Sequence, residues 1–179
     1  MDKETIPLLT RIAQALERMK PPAALPQKLD NADAYIWQGE AMRLEALQTV
    51  SRVDISLIQG VDLQKEILLN NTLQFARGHA ANNALLWGAR GMGKSSLIKS
   101  IHAQVLKLEP NSIALIEIHR EDIPTLPALL RVLRGNTRRF VLFCDDLSFS
   151  ENESSYKSLK AVLEGGLEGR PDNVIIYAT

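Results

Sequence analysis

The chain has 179 residues, with 21 Lys and Arg against 21 Asp and Glu, so its formal net charge is zero. That length suits one or two domains with a substantial core, and the balanced charge supplies no global field to draw the protein onto nucleic acid or anionic lipid. A single cysteine, Cys144, excludes an intramolecular disulfide framework and fits a reducing, cytoplasmic compartment, while the charged N-terminus is neither a signal peptide nor a membrane span.

Ile6, Leu9, Ile12, Ala13 and Leu16 recur at helical intervals, which predicts an amphipathic helix over residues 5–19 for packing or docking. Pro21 and Pro22 stop it, and the proline-rich stretch to Asp33 reads as a linker. The chain therefore divides into an N-terminal helical segment with its linker, 1–33, and a core, 34–179. Tyr35, Ile36 and Trp37 form an apolar cluster, either a flap packed on the core or an exposed recognition patch. Residues 43–56 alternate only weakly. Gly60 marks a turn and Asp62 an N-cap, with a helix over 63–75 resting on Ile67, Leu68 and Phe75. Gly78 closes that helix, and residues 79–83 form a polar turn.

Beyond that turn the apolar and helical patterns alternate. Strands are expected at 84–87, 112–118, 140–144 and 174–177. Helices are expected from the 88–96 loop to about Leu108, over 123–133 despite Pro124 and Pro127, and over 156–163. Such alternation predicts an α/β fold with a doubly wound parallel sheet, helices on both faces and the ligand at the carboxyl ends of the strands.

The loop Gly88, Ala89, Arg90, Gly91, Met92, Gly93, Lys94, Ser95, Ser96 satisfies G-x-x-x-x-G-K-[ST] between an apolar strand and a helix, the setting that identifies a P-loop. Its glycines admit positive φ and bring bare N–H groups to phosphate oxygens, while the helix N-terminus presents its positive end. Lys94 is expected at the β- and γ-phosphates, Ser95 at Mg2+, and Ser96 near the α-phosphate. Arg90 is equally a phosphate contact, a contact to a neighbouring subunit or a variable loop position. A P-loop requires a carboxylate at the end of a buried strand, and the run Phe140-Val141-Leu142-Phe143-Cys144 delivers Asp145 and Asp146 there. Asp145 is assigned to the metal side. Asp146 is assigned to orienting or deprotonating the attacking water, Lys94 to phosphate charge.

The runs GVDLQKEILLNNTLQFARG, ANNALLWGARGMGKSS, FCDDLSF and LKAVLEGGLEGRPDNVIIYAT resemble a family of bacterial AAA+ type P-loop ATPases of unassigned function, over roughly residues 35–179. The resemblance implies an AAA+ like P-loop NTPase fold, ATP and Mg2+ as cofactors, an oligomeric ring and a protein partner. It also implies that the Gly60-Val61-Asp62 turn lies beside the adenine. In that family a polar sensor, a further helix and strand, and a helical lid follow a strand such as VIIYAT, which lies centrally in the sheet. The chain is accordingly expected to be a truncated piece, a gene fragment or a reduced member, with unaided hydrolysis left open.

Other residues carry less. His79, His102 and His119 lack metal-ligand spacing and read as surface or loop histidines. Cys144, beside an anion, reads as a small buried apolar residue rather than a redox centre. Arg131, Arg134, Arg138 and Arg139 form either a solvated helix end or a contact to nucleic acid or a neighbour's phosphate. The leading function is a Mg-ATP-dependent ATPase driving a conformational change in a partner or ring. Alternatives are a nucleic-acid-directed ATPase of helicase-loader type and a nucleotide-binding module without hydrolysis. A small-molecule kinase would need an acceptor site and a basic lid, neither visible, and no N-K-x-D or T-K-x-D segment supports a GTPase.

Overall fold

A computed structural model describes residues 32–147 and 169–179 together with Leu29, Leu159 and Lys160. The helix expected over 5–19, most of the linker, and the helix expected over 156–163 apart from Leu159 and Lys160 lie outside the described residues. The described elements are β1 (Ala34–Gln38), β2 (Arg43–Leu47), a 3-10 turn (Ile55–Leu57), α1 (Asp62–Ala76), β3 (Ala84–Leu85), α2 (Lys94–Leu108), β4 (Ile113–Glu117), a 3-10 turn (Arg120–Thr125), α3 (Leu126–Leu133), β5 (Arg139–Cys144) and β6 (Val174–Ala178).

The strands form one 6-stranded sheet in the order β2-β1-β4-β5-β6-β3. All neighbouring pairs are parallel except the β1–β2 hairpin, which is antiparallel. The interior strands are apolar on both faces, as parallel strands covered by helices must be. Along β5, Phe140, Leu142 and Cys144 enter one core with Trp37, Leu126, Leu129 and Leu133. Val141 and Phe143 enter the other, with Phe75 of α1 and Ile98, Ile101 and Val105 of α2. The sheet is thus packed by α3 on one face and by α1 and α2 on the other, the doubly wound α/β arrangement expected.

Several local expectations are corrected. Tyr35, Ile36 and Trp37 are neither a flap nor an exposed patch but a strand of the main sheet, paired with β4 on one side and β2 on the other. Trp37 is 0% exposed, and its Nε1–H donates to Thr125 Oγ1 at 2.7 Å. The hairpin turn needs Gly39, because a Cβ there would collide with the Asp122 carboxylate and the Thr125 hydroxyl. Asp62 is the first residue of α1 rather than its cap, and it pairs with Lys65 at 3.1 Å. The inward face of α1 is Leu68, Thr72 and Phe75, while Ile67 points outward. Thr72 and Asn71 meet the Tyr177 hydroxyl of β6 at 2.8 and 2.9 Å, which ties α1 to the sheet. The helix expected over 123–133 is a 3-10 turn followed by α3, because Pro124 cannot donate within an α-helix and Pro127 suits only its first turn.

Candidate functional site

The P-loop leaves the sheet from β3, a two-residue edge strand paired with β6. Pairing continues one residue further, with Leu86 N–H donating to Ala178 O at 2.9 Å. Gly91 and Gly93 adopt φ of 82° and 81°, a left-handed conformation that L side chains resist. Gly93 is the N-cap of α2 and has no side chain to satisfy the first turn. Among the described residues no side chain caps the opening N–H groups of that helix, which suits them to an anion. Lys94 Nζ donates to Gly88 O and Ala89 O, both at 3.0 Å, holding the loop closed around its own ammonium.

Asp145 follows β5 at the carboxyl edge of the sheet, where the parallel register places it beside the start of α2. Ser95 Oγ–H donates to Asp145 Oδ1 at 2.6 Å. Thr179 Oγ1 donates to the same oxygen at 2.5 Å, and the Asp146 N–H reaches it at 3.1 Å. Burial pushes the Asp145 carboxyl upward, but the Ser95 and Thr179 hydroxyls, the Asp146 N–H and the nearby Lys99 ammonium outweigh it and hold the group below the usual carboxylate range. Asp145 is accordingly an anion at neutral pH. The adjacent Cys144 thiol is pushed up to about 12 by burial and then by Asp145, so it is an inert core group, as its position in the strand implies.

These residues line one cleft of about 760 Å³, shared by Leu85, Leu86 and Trp87, the P-loop through Ser96, and Asp145, Asp146, Leu147 and Thr179. Of the sequence-assigned residues, Gly88, Arg90, Gly91, Gly93, Lys94, Ser95, Ser96, Asp145 and Asp146 lie on its lining. Ala89 contributes the carbonyl that Lys94 grips, and Met92 is 67% exposed on the outside of the loop. Gly60 and Val61 do not line the cleft; Gly60 has φ 77° with open space where a Cβ would project. Leu85, Leu86, Trp87, Leu147 and Thr179 also line it without having been assigned to the site from the sequence, and two of them stand out. Thr179 becomes visible only when Cys144 and Ala178 are recognised as register partners. Trp87, just ahead of Gly88, is 87% exposed although it follows an apolar run.

The donor set fits a hard divalent cation bound with phosphate: one hydroxyl, one ionised carboxylate and free backbone N–H groups, all oxygen or anion-binding chemistry. A hydroxyl that donates its proton to Asp145 keeps its lone pairs for a cation, so Ser95 and Asp145 would be the residues that hold Mg2+, directly and through its water shell.

The arginine cluster divides: Arg131 is exposed in the last turn of α3, as a solvated helix end would be, and the other three have a use not expected. Arg138 donates to Leu29 O at 3.2 Å, Ala32 O at 2.5 Å and Ile113 O at 2.9 Å, and pairs with Asp33 at 3.0 Å. Arg139 donates to Gly78 O at 3.0 Å and stacks over Phe75 at 5.0 Å. Arg134 donates to Gly169 O at 3.1 Å. These three are structural ties around the entry to β5. His102 likewise departs from expectation, lying buried in α2 rather than on the surface, whereas His79 and His119 are exposed. No described helix is long and apolar enough to cross a membrane.

The structure is similar to that of the Thermotoga maritima RuvB Holliday junction branch migration motor, with 20% sequence identity and a TM-score of 0.42, over 70% of this chain and 41% of that one. Among curated proteins none matches. The chain belongs to the family described as "Protein of unknown function (DUF815)", whose profile matches residues 30–179.

Proposed function

We propose that the cleft is a Mg-ATP site and that the chain forms the core of an AAA+ type ATPase, coupling nucleotide binding and hydrolysis to a conformational change in a protein partner or an oligomeric ring. The observation that carries this reading is the 2.6 Å hydrogen bond from Ser95 to Asp145, which joins the P-loop helix to the end of a buried strand. Those are the two elements that must flank a metal-bound triphosphate.

Each residue then has a task set by its chemistry. The left-handed glycines and the first turn of α2 cradle the phosphates through N–H groups. Lys94 would exchange its two carbonyl partners for phosphate oxygens, which accept stronger, charge-assisted hydrogen bonds. Ser95 and Asp145 would hold Mg2+, which when bound neutralises charge developing on the β- and γ-phosphates. Asp146, exposed on the cleft lining, would orient or deprotonate the attacking water. The engagement of Arg138 and Arg139 by backbone carbonyls favours this reading over a nucleic-acid-directed ATPase. A single cysteine, which cannot form an intramolecular disulfide, supports a cytoplasmic setting.

Calorimetric titration with Mg-ATP tests the proposal, with phosphate release followed in the same samples. Lys94→Ala should weaken binding by at least about a hundredfold, the loss expected when a charge-assisted ammonium–phosphate contact is removed. Unchanged affinity in Lys94→Ala would remove the P-loop assignment. Tight binding without phosphate release would assign the chain as a nucleotide-binding module.

A further inference from the structure

We infer that Thr179 is a positioning residue of this site, its hydroxyl fixing the orientation of the Asp145 carboxylate and of the turn that carries Asp146. The inference rests on the Mg-ATP reading and extends it to a residue with no assigned role.

The backbone places Thr179 before its side chain acts. Register pairing of Cys144 with Ala178 brings it beside Asp145. Its N–H donates to Cys144 O at 3.1 Å, and its carbonyl accepts from Leu147 N–H at 2.7 Å. It is therefore stapled on both sides to the segment leaving β5. From that fixed point the hydroxyl uses both of its capacities: Oγ1 donates to Asp145 Oδ1 at 2.5 Å and accepts from the Asp146 N–H at 3.2 Å.

Three donors thus converge on Oδ1: the Ser95 hydroxyl, the Thr179 hydroxyl and the Asp146 N–H. Oδ2 takes no hydrogen bond from the described residues. A carboxylate held through one oxygen in this way has a defined plane, with the other oxygen available to the water shell of a cation. The second hydrogen bond of Thr179 supports Asp146, whose φ of 56° is left-handed and turns the chain sharply out of the strand. One hydroxyl therefore fixes the Asp145 carboxylate and the backbone of the Asp146 turn relative to the P-loop.

The test uses Thr179→Val and Thr179→Ser in the full chain. Valine keeps the shape and the backbone staples but removes both hydroxyl bonds; serine restores the hydroxyl. ATP binding is titrated against Mg2+ concentration and, separately, with EDTA present. Thr179→Val should raise the half-saturating Mg2+ concentration about tenfold, the usual effect of removing a hydrogen bond to a charged group, while leaving metal-free ATP affinity within about twofold. Thr179→Ser should return the Mg2+ response to within about twofold of the unsubstituted chain. Equal Mg2+ responses in the Val variant and the unsubstituted chain would overturn the role of Thr179. So would equal losses in the Val and Ser variants, or a loss in Val that is as large with EDTA as with Mg2+. Absence of Mg2+-dependent ATP binding by the unsubstituted chain would instead overturn the nucleotide reading beneath it.

Discussion

Asp146 occupies a left-handed conformation with φ 56°, a region that costs most L residues of order 1 kcal/mol and that Asp and Asn tolerate best. This separates its backbone role from its chemical one. Asp146→Asn keeps the turn and removes the carboxylate, so it should retain ATP binding while turnover falls by roughly 10²–10⁴-fold, the range for a lost general base. Asp146→Ala removes the carboxylate and also strains the turn, so it should lose about 1 kcal/mol of stability beyond the Asn variant. Thermal unfolding alongside phosphate release distinguishes the two, and unchanged turnover in Asp146→Asn would remove the residue from the mechanism. The P-loop and this acidic pair were legible because each is a local motif. Thr179 was not, because its meaning depends on which strand lies beside it.

Among the elements, β5 depends on its arginines as much as on its apolar run. Arg138 is almost wholly buried and holds backbone carbonyls of Leu29, Ala32 and Ile113, so it joins the segment before β1 to the starts of β4 and β5. Arg138→Ala should lower stability by about 2–4 kcal/mol, since it leaves several buried carbonyls without a donor. Arg131→Ala, at an exposed position of α3, should change it by no more than about 0.5 kcal/mol. Urea unfolding midpoints decide the matter, and equal effects would refute the clamp. From sequence the four arginines looked alike, because charge spacing says nothing about which guanidinium meets a carbonyl. The same limit applies to α1. Its inward face includes Thr72, a polar residue satisfied by Leu68 O and the Tyr177 hydroxyl, so apolar spacing alone selected Ile67 wrongly.

For the whole molecule, alternating patterns from residue 84 onward revealed the parallel sheet, and the position of β6 between β5 and β3 agrees with the central placement expected. The β1–β2 hairpin escaped notice because β2 lies at the edge of the sheet, where Leu44 is its one buried residue and alternation is weak. Folding as a whole also buries His102, which is 1% exposed. Burial lowers its pKa to about 4, with Arg52 and Arg138 adding to the effect and Asp33 opposing it. The folded protein thus keeps the ring neutral while the unfolded chain protonates it near pH 6.5. The associated stability is complete above that value and is lost as pH falls toward 4, by about 1–3 kcal/mol. His102→Leu should abolish that part of the acid sensitivity, and parallel pH profiles for the two proteins would contradict it.

The contrast between the two tryptophans has a practical consequence. Trp37 is sealed in the core on β1 and Trp87 lines the cleft, 0% and 87% exposed. Intrinsic fluorescence therefore divides into two channels that a soluble quencher can separate. Quenching of Trp87 should respond to nucleotide while the emission of Trp37 stays constant, whereas denaturation should move Trp37 toward the red. Ligand occupancy and loss of the fold can then be followed separately in one cuvette, without a label.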